Sequence, residues 1–147
     1  MQTSSKFTMS VHLLACVHVF QDRRMTSDLI ASSIGTNPVV VRKLLQKLKA
    51  AGLVEVARGT GGVSIVRPIE EISLLEVFNA VEGSAGQLFR FHENPNDACP
   101  VGRSIHQAMD DKLDRVQRAF EDELGAIALS DVVADIPLVD EGNARRG

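Results

Sequence analysis

Asn37-Pro38-Val39-Val40-Val41-Arg42-Lys43-Leu44-Leu45-Gln46-Lys47-Leu48-Lys49-Ala50-Ala51-Gly52 carries a start signal, a buried stripe and a stop signal for one helix. Asn37 is a good N-cap, and Pro38 falls at the first helical position, where its missing N–H costs nothing. Leu44, Leu45 and Leu48 form the apolar stripe, and Gly52 ends a helix running from Pro38 to Ala51. Upstream, Thr26 or Ser27 caps a short helix over Asp28 to Ser33, with Asp28 set against the positive end of the helix dipole. Leu29, Ile30 and Ile34 supply its inner face, and Gly35-Thr36 makes the turn between the two helices. Downstream, Leu53-Val54-Glu55-Val56 and Val63-Ser64-Ile65-Val66 are β-prone runs joined by Ala57-Arg58-Gly59-Thr60-Gly61-Gly62, which predicts a hairpin. A short helix, a tight turn, a proline-started helix and a glycine-tipped hairpin occur in the order of a winged helix-turn-helix.

The flanks extend this to a mainly α fold with a small β-hairpin wing and a long C-terminal dimerisation helix. Ser4 or Ser5 caps a first helix reaching Phe20, on which Phe7, Val11, Leu14, Ala15 and His18 return to one face. Ser73 caps a helix from Leu74 to Glu82 that turns Leu75, Phe78 and Val81 inward. Gly83 to Gly102 reads as irregular, with Asn94-Pro95-Asn96-Asp97 as a turn. From Val101 to about Leu129, Ile105, Met109, Leu113, Val116, Phe120, Leu124 and Ile127 recur at spacings of four and three, close to a heptad seam. The expected organisation is a DNA-binding domain over 1–67, a linker helix and loop over 68–100, a dimerisation helix over 101–130 and a flexible tail over 131–147.

Bulk properties narrow the functional classes. At 147 residues, 44% of them apolar, the chain supports one packed domain with an appendage. It has neither Trp nor Tyr, which weighs against the aromatic platforms that hold single strands and RNA loops. The net charge of −3 conceals a division: residues 1–67 carry a net +6 and residues 68–147 a net −9. A basic module facing a polyanion accounts for that asymmetry, although uneven solvation produces it too. The run from Val11 to Phe20 is about half a membrane span, and no secretory signal order is present. With only Cys16 and Cys99 there is no disulfide framework, and a reducing, cytoplasmic setting is expected.

Double-stranded DNA is the expected partner. The second helix of a helix-turn-helix presents its N-terminal residues to base edges in the major groove. Those positions are Asn37, Val39, Val40, Arg42 and Lys43. Asn can grip adenine, Arg guanine, and Val a thymine methyl. Gln46 and Lys47 follow one turn later, for base or phosphate contact. Ser5, Lys6, Thr26 and Ser27 join them at helix starts, and Arg58, Gly59, Thr60, Gly61 and Gly62 form a slim tip suited to a minor groove.

The run Asn37 to Leu45, then Leu48, Ala51-Gly52-Leu53-Val54 and Arg58-Gly59-Thr60-Gly61-Gly62, resembles the Rrf2 family of bacterial regulators. Ile69-Glu70-Glu71-Ile72-Ser73-Leu74-Leu75-Glu76-Val77, ending Ala80-Val81-Glu82-Gly83, is similar to that family's linker helix, and the resemblance covers about residues 4 to 130. It implies a long C-terminal helix crossing to a partner subunit, and a symmetric homodimer, usually a repressor, on a palindromic operator. The seam from Ile105 through Met109, Leu113, Val116 and Phe120 to Leu124 agrees with such an interface. Several family members hold an iron–sulfur cluster through three closely spaced cysteines in the loop before the long helix. Here that loop has Cys99 alone, which does not supply the cysteine set; His92, Asp97 and His106 are the other donors nearby. No cofactor and no metal are therefore expected.

Cys99 instead reads as a regulatory thiol. A helix start just after it favours the thiolate, and Asp97 opposes that. An inert Cys99 is the plainer reading, and Cys16 reads as a small buried hydrophobe. A small-molecule effector between wing and dimer helices is another option, with no residue chemistry to name it. An enzyme is disfavoured. No phosphate loop, dinucleotide fingerprint or zinc motif is present, and Cys99 with His106 lacks an orienting third residue. The remaining alternative is a winged helix that binds only proteins.

Overall fold

The computed structural model describes residues 5–59, 62–83 and 87–138. Among these residues, six α-helices, a two-stranded hairpin and one 3-10 turn succeed one another: α1 Lys6–Val19, α2 Ser27–Ile34, α3 Pro38–Ala50, β1 Val54–Val56, β2 Val63–Ile65, the 3-10 turn Ile69–Glu71, α4 Leu74–Glu82, α5 Pro100–Ala126 and α6 Leu129–Ala134. The fold is mainly α with a winged helix-turn-helix and a long C-terminal helix.

Local chemistry sets the boundaries. Thr26 Oγ1 accepts from Leu29 N–H at 3.3 Å at the start of α2, and Asn37 Oδ1 accepts from Val40 N–H at 3.1 Å at the start of α3. Ser5 precedes α1 without a side-chain cap bond, and Ser4 lies outside the described residues. Gly35 closes α2 in the left-handed region, φ 84°, where a Cβ would be strained. The hairpin pairs Val54 with Ile65, Glu55 with Ser64 and Val56 with Val63. At its root, Val63 N–H donates to Met25 O at 3.0 Å, tying the wing to the link between α1 and α2. Gly62 belongs to that junction, because a Cβ there would come within 3.0 Å of Arg24 Cγ and 3.2 Å of Met25 N.

One core joins these elements. Leu13, Leu14 and Val17 of α1, Ile30 of α2, Val41, Leu44, Leu45 and Leu48 of α3, and Val77 and Val81 of α4 are all buried in it. Leu29, expected on the inner face of α2, is instead 52% exposed. Cys16 is buried as expected, but its thiol is within 3.2 Å of Ser33 Oγ, which also meets His12 Nε2 at 2.9 Å.

The C-terminal part departs most from the sequence reading. The long helix stops at Ala126, short of the expected Leu129. Ile127 is extended: its carbonyl accepts from Leu74 N–H at 2.9 Å, and Leu129 N–H donates to Ile72 O at 2.8 Å. Leu129, expected at the end of the long helix, is fully buried and opens α6, whose residues 131–134 fall where flexible chain was expected. Asp131 caps this helix by accepting from Ala128 N–H at 2.9 Å. The final residues, 139–147, lie outside the described residues.

Candidate nucleic-acid interface

A helix turns about 100° per residue, so the core positions of α3 fix where its remaining side chains point. Val41, Leu44, Leu45 and Leu48 face inward. Val39, Lys43 and Gln46 then lie farthest from the core and are exposed, as are Arg42 and Lys49 on one flank. That flank borders an open groove of about 580 Å³, lined by Arg42, Gln46 and Lys49, by Thr26, Ser27 and Asp28 from the start of α2, and by Val56, Ala57 and Gly59 from the hairpin. Three successive elements thus share one cleft, presenting two cations and an amide from successive turns of α3. Lys49 was missed by sequence reasoning, although its spacing of seven from Arg42 places both on one flank.

Several expected contacts sit elsewhere. The bidentate grip of an Asn on adenine needs both amide atoms, and Asn37 Oδ1 already caps α3. Val40 is half-buried and packs on the core. Lys47 occupies the opposite flank from Arg42 and Lys49, and its Nζ donates to Val81 O at 3.2 Å. Ser5 and Lys6 are exposed at the start of α1 and do not line the groove. Arg58 and Gly59 are exposed on the hairpin; Thr60 and Gly61 of its tip lie outside the described residues.

The residue expected to be regulatory, Cys99, lies apart from this cleft. Cys99 is exposed and is the N-cap of α5, one residue before the helix starts at Pro100. Its sulfur makes no complete cap hydrogen bond, but the amides of Gly102 and then Val101 face it and hold the thiol below its ordinary pKa. The turn before it is tightly seated: Cys99 N–H donates to Asn96 O at 3.1 Å, and a Cβ on Gly102 would collide with that same carbonyl. His106 stacks on Phe91 with centroids 4.6 Å apart and meets the edge of His92 at 5.0 Å.

Along the expected dimer seam, Phe120 packs edge-on against Phe78 at 5.2 Å, and Phe78 against Phe7 at 5.6 Å, joining α5 to α4 and α1. Ile105, Leu113 and Leu124 are half-buried, and Met109 and Val116 remain exposed. Not one residue of α5 is fully buried by this chain.

A winged helix-turn-helix with a cationic reading flank, continued into a long helix, defines a DNA-binding regulator. The Rrf2 profile, described as an iron-dependent transcriptional regulator, matches residues 3–135, and the chain belongs to that family. YwnA of Bacillus subtilis, assigned as an HTH-type transcriptional regulator, is 41% identical over 130 residues, covering 88% of this chain and 96% of YwnA. A crystal structure described as that of a DNA-binding protein is 38% identical, with a TM-score of 0.72 over 87% of this chain and 98% of that one. The oxidised form of Staphylococcus aureus CymR shares the fold at 21% identity, with a TM-score of 0.69 over 94% of this chain and all of CymR.

Iron in the family description does not fit the donors among the described residues. Among the described residues, no group of three or more His, Cys, Asp or Glu side chains is arranged to hold a metal ion. Cys16 is buried in the α1 core, which leaves the loop a single thiol. No helix among the described residues is long and apolar enough to cross a membrane.

Proposed function

We propose that the protein is a repressor that binds a palindromic operator as a homodimer, reading it with α3 and holding it with the start of α2 and the hairpin. The observation that carries this reading is the cleft where Arg42, Gln46 and Lys49 line up beside the hairpin. Guanidinium and amide side chains at that spacing suit base edges in a major groove, and Lys49 and Arg58 suit phosphates. The dimer is supported by α5, whose 27 residues include none buried and leave Met109 and Val116 exposed. Such an open apolar seam suits a second copy of the helix, and a two-fold dimer reads a two-fold site.

Cys99 supports a second layer, in which an oxidant weakens the grip on DNA. The thiolate favoured at the start of α5 attacks a peroxide, forming an S–O bond to give the sulfenic acid and releasing hydroxide or alkoxide. The test is a titration of the reduced protein against DNA from upstream of its own gene and a scrambled duplex, repeated after mild peroxide treatment. Preferential binding is expected, with loss on oxidation that Cys99→Ser prevents. Equal binding to both duplexes would favour a protein-interaction module, and an oxidation response unchanged in Cys99→Ser would remove the thiol from the account.

A further inference from the structure

Lys47 lies in the last turn of the reading helix, yet its ammonium is turned away from the cleft. We infer that Lys47 is a positioning residue, which sets the angle of α3 by capping α4, and is not a ligand of DNA phosphate. The inference rests on the DNA-binding reading above.

Three observations converge on it. The angular position of Lys47 on α3 is that of the α4 flank, about 160° from Lys49. Its Nζ reaches Val81 O at 3.2 Å in a partly buried setting. Val81 itself is only 1% exposed, in the last turn of α4, where carbonyls have no partner within the helix. A cation there satisfies an orphan acceptor and meets the negative end of the helix dipole. The far end of α4 is equally fixed. Ser73 and Glu76 form a reciprocal capping box, Arg67 pairs with Glu76 at 3.0 Å, and Leu74 N–H is held by Ile127 O. With its N-terminus locked, α4 is a rigid rod, and Lys47 fastens the reading helix to the rod's other end. Beyond Gly83 the chain leads to the loop that Leu88 N–H anchors on Gln117 of α5 at 3.0 Å. Lys47 therefore joins the helix that reads DNA to the element feeding the dimer helix and the Cys99 turn.

A phosphate ligand and a strut differ in how binding depends on sequence and salt. Removing a phosphate contact weakens all duplexes alike and makes the slope of log K against log salt shallower by about one. Removing a strut tilts α3, so it penalises the matched site and leaves the count of phosphate contacts unchanged. The experiment measures Lys47→Met and Lys47→Arg beside wild type on a duplex chosen by random-sequence selection and on a scrambled duplex, across a salt series. Melting temperatures are recorded in parallel. Lys47→Met is expected to bind the selected duplex roughly tenfold more weakly, the scale of one charge-assisted hydrogen bond. Its scrambled-duplex affinity and salt slope stay at wild-type values, and Lys47→Arg recovers most of the loss. Equal weakening on both duplexes with a shallower slope would overturn the inference in favour of a phosphate contact. A lowered melting temperature with wild-type binding would overturn it in favour of a purely structural role. Wild-type protein that prefers no duplex would reject the DNA-binding reading itself, an outcome separable from either Lys47 result.

Discussion

Arg42 stands on the flank of α3 that borders the hairpin, with Gln46 and Lys49 at the next two turns. A guanidinium there can bond both acceptors of a guanine edge, so Arg42→Ala should cost about 1–3 kcal/mol of operator binding and relax preference at one base position. Affinity measured across single-base operator variants checks this; a uniform loss would make Arg42 a phosphate contact. At Cys99 the direction of the pKa shift sets the pH dependence. The Gly102 and Val101 amides favour the thiolate, so the folded pKa falls and thiolate persists to lower pH than in an unperturbed cysteine. Iodoacetamide alkylation of the folded Cys16→Ser protein should reach its half-maximal rate at a lower pH than alkylation of the same protein unfolded in urea. A folded-state midpoint equal to or above the unfolded one would contradict the assignment. The caps Thr26 and Asn37 could be read from the sequence because such bonds are local. The engagement of Lys47 could not, because its partner Val81 lies 34 residues away.

Among the elements, α4 and the α5–α6 junction decide how the winged domain meets the long helix. Ser73 and Glu76 satisfy each other's backbone amides at the start of α4, so Ser73→Ala should lower stability by roughly 0.5–2 kcal/mol in chemical denaturation. Leu129 is fully buried against the 3-10 turn and α1, and Leu129→Ala should cost about 2–5 kcal/mol. An unchanged denaturation midpoint in Leu129→Ala would mean that α6 does not dock as described. The short helices, the hairpin and α4 were legible because each carries its own caps, glycines and apolar period. The end of α5 was not. Ile127 and Leu129 continue the apolar spacing of the helix, so periodicity alone extends it. The break is made by tertiary pairing, where Leu74 N–H and Ile72 O capture the backbone at Ile127 and Leu129. A six-residue helix such as α6 is too short for a periodic signal.

Across the whole molecule, charge is distributed by task. The N-terminal portion that bears the cleft is strongly basic, and the portion carrying α4, α5 and α6 is acidic. The acidic part therefore repels the polyanion and leaves the basic portion to approach it. The order of helix, turn, helix and hairpin was readable as a fold, while the assembly of the cleft from α2, α3 and the hairpin needed the structure. Lys49 entered the site only when the flank it shares with Arg42 was seen to face the wing. The central claim is that this cleft, duplicated by the pairing of α5 with a second copy, reads a two-fold DNA site. The measurement closest to it is sedimentation of the protein with a duplex obtained by random-sequence selection, over a salt series. The account predicts two chains per palindromic duplex and a linear fall of log K with log salt, with Met109→Asp leaving a folded chain that no longer pairs or selects DNA. One chain per duplex, or a selected pool with no two-fold sequence, would contradict it.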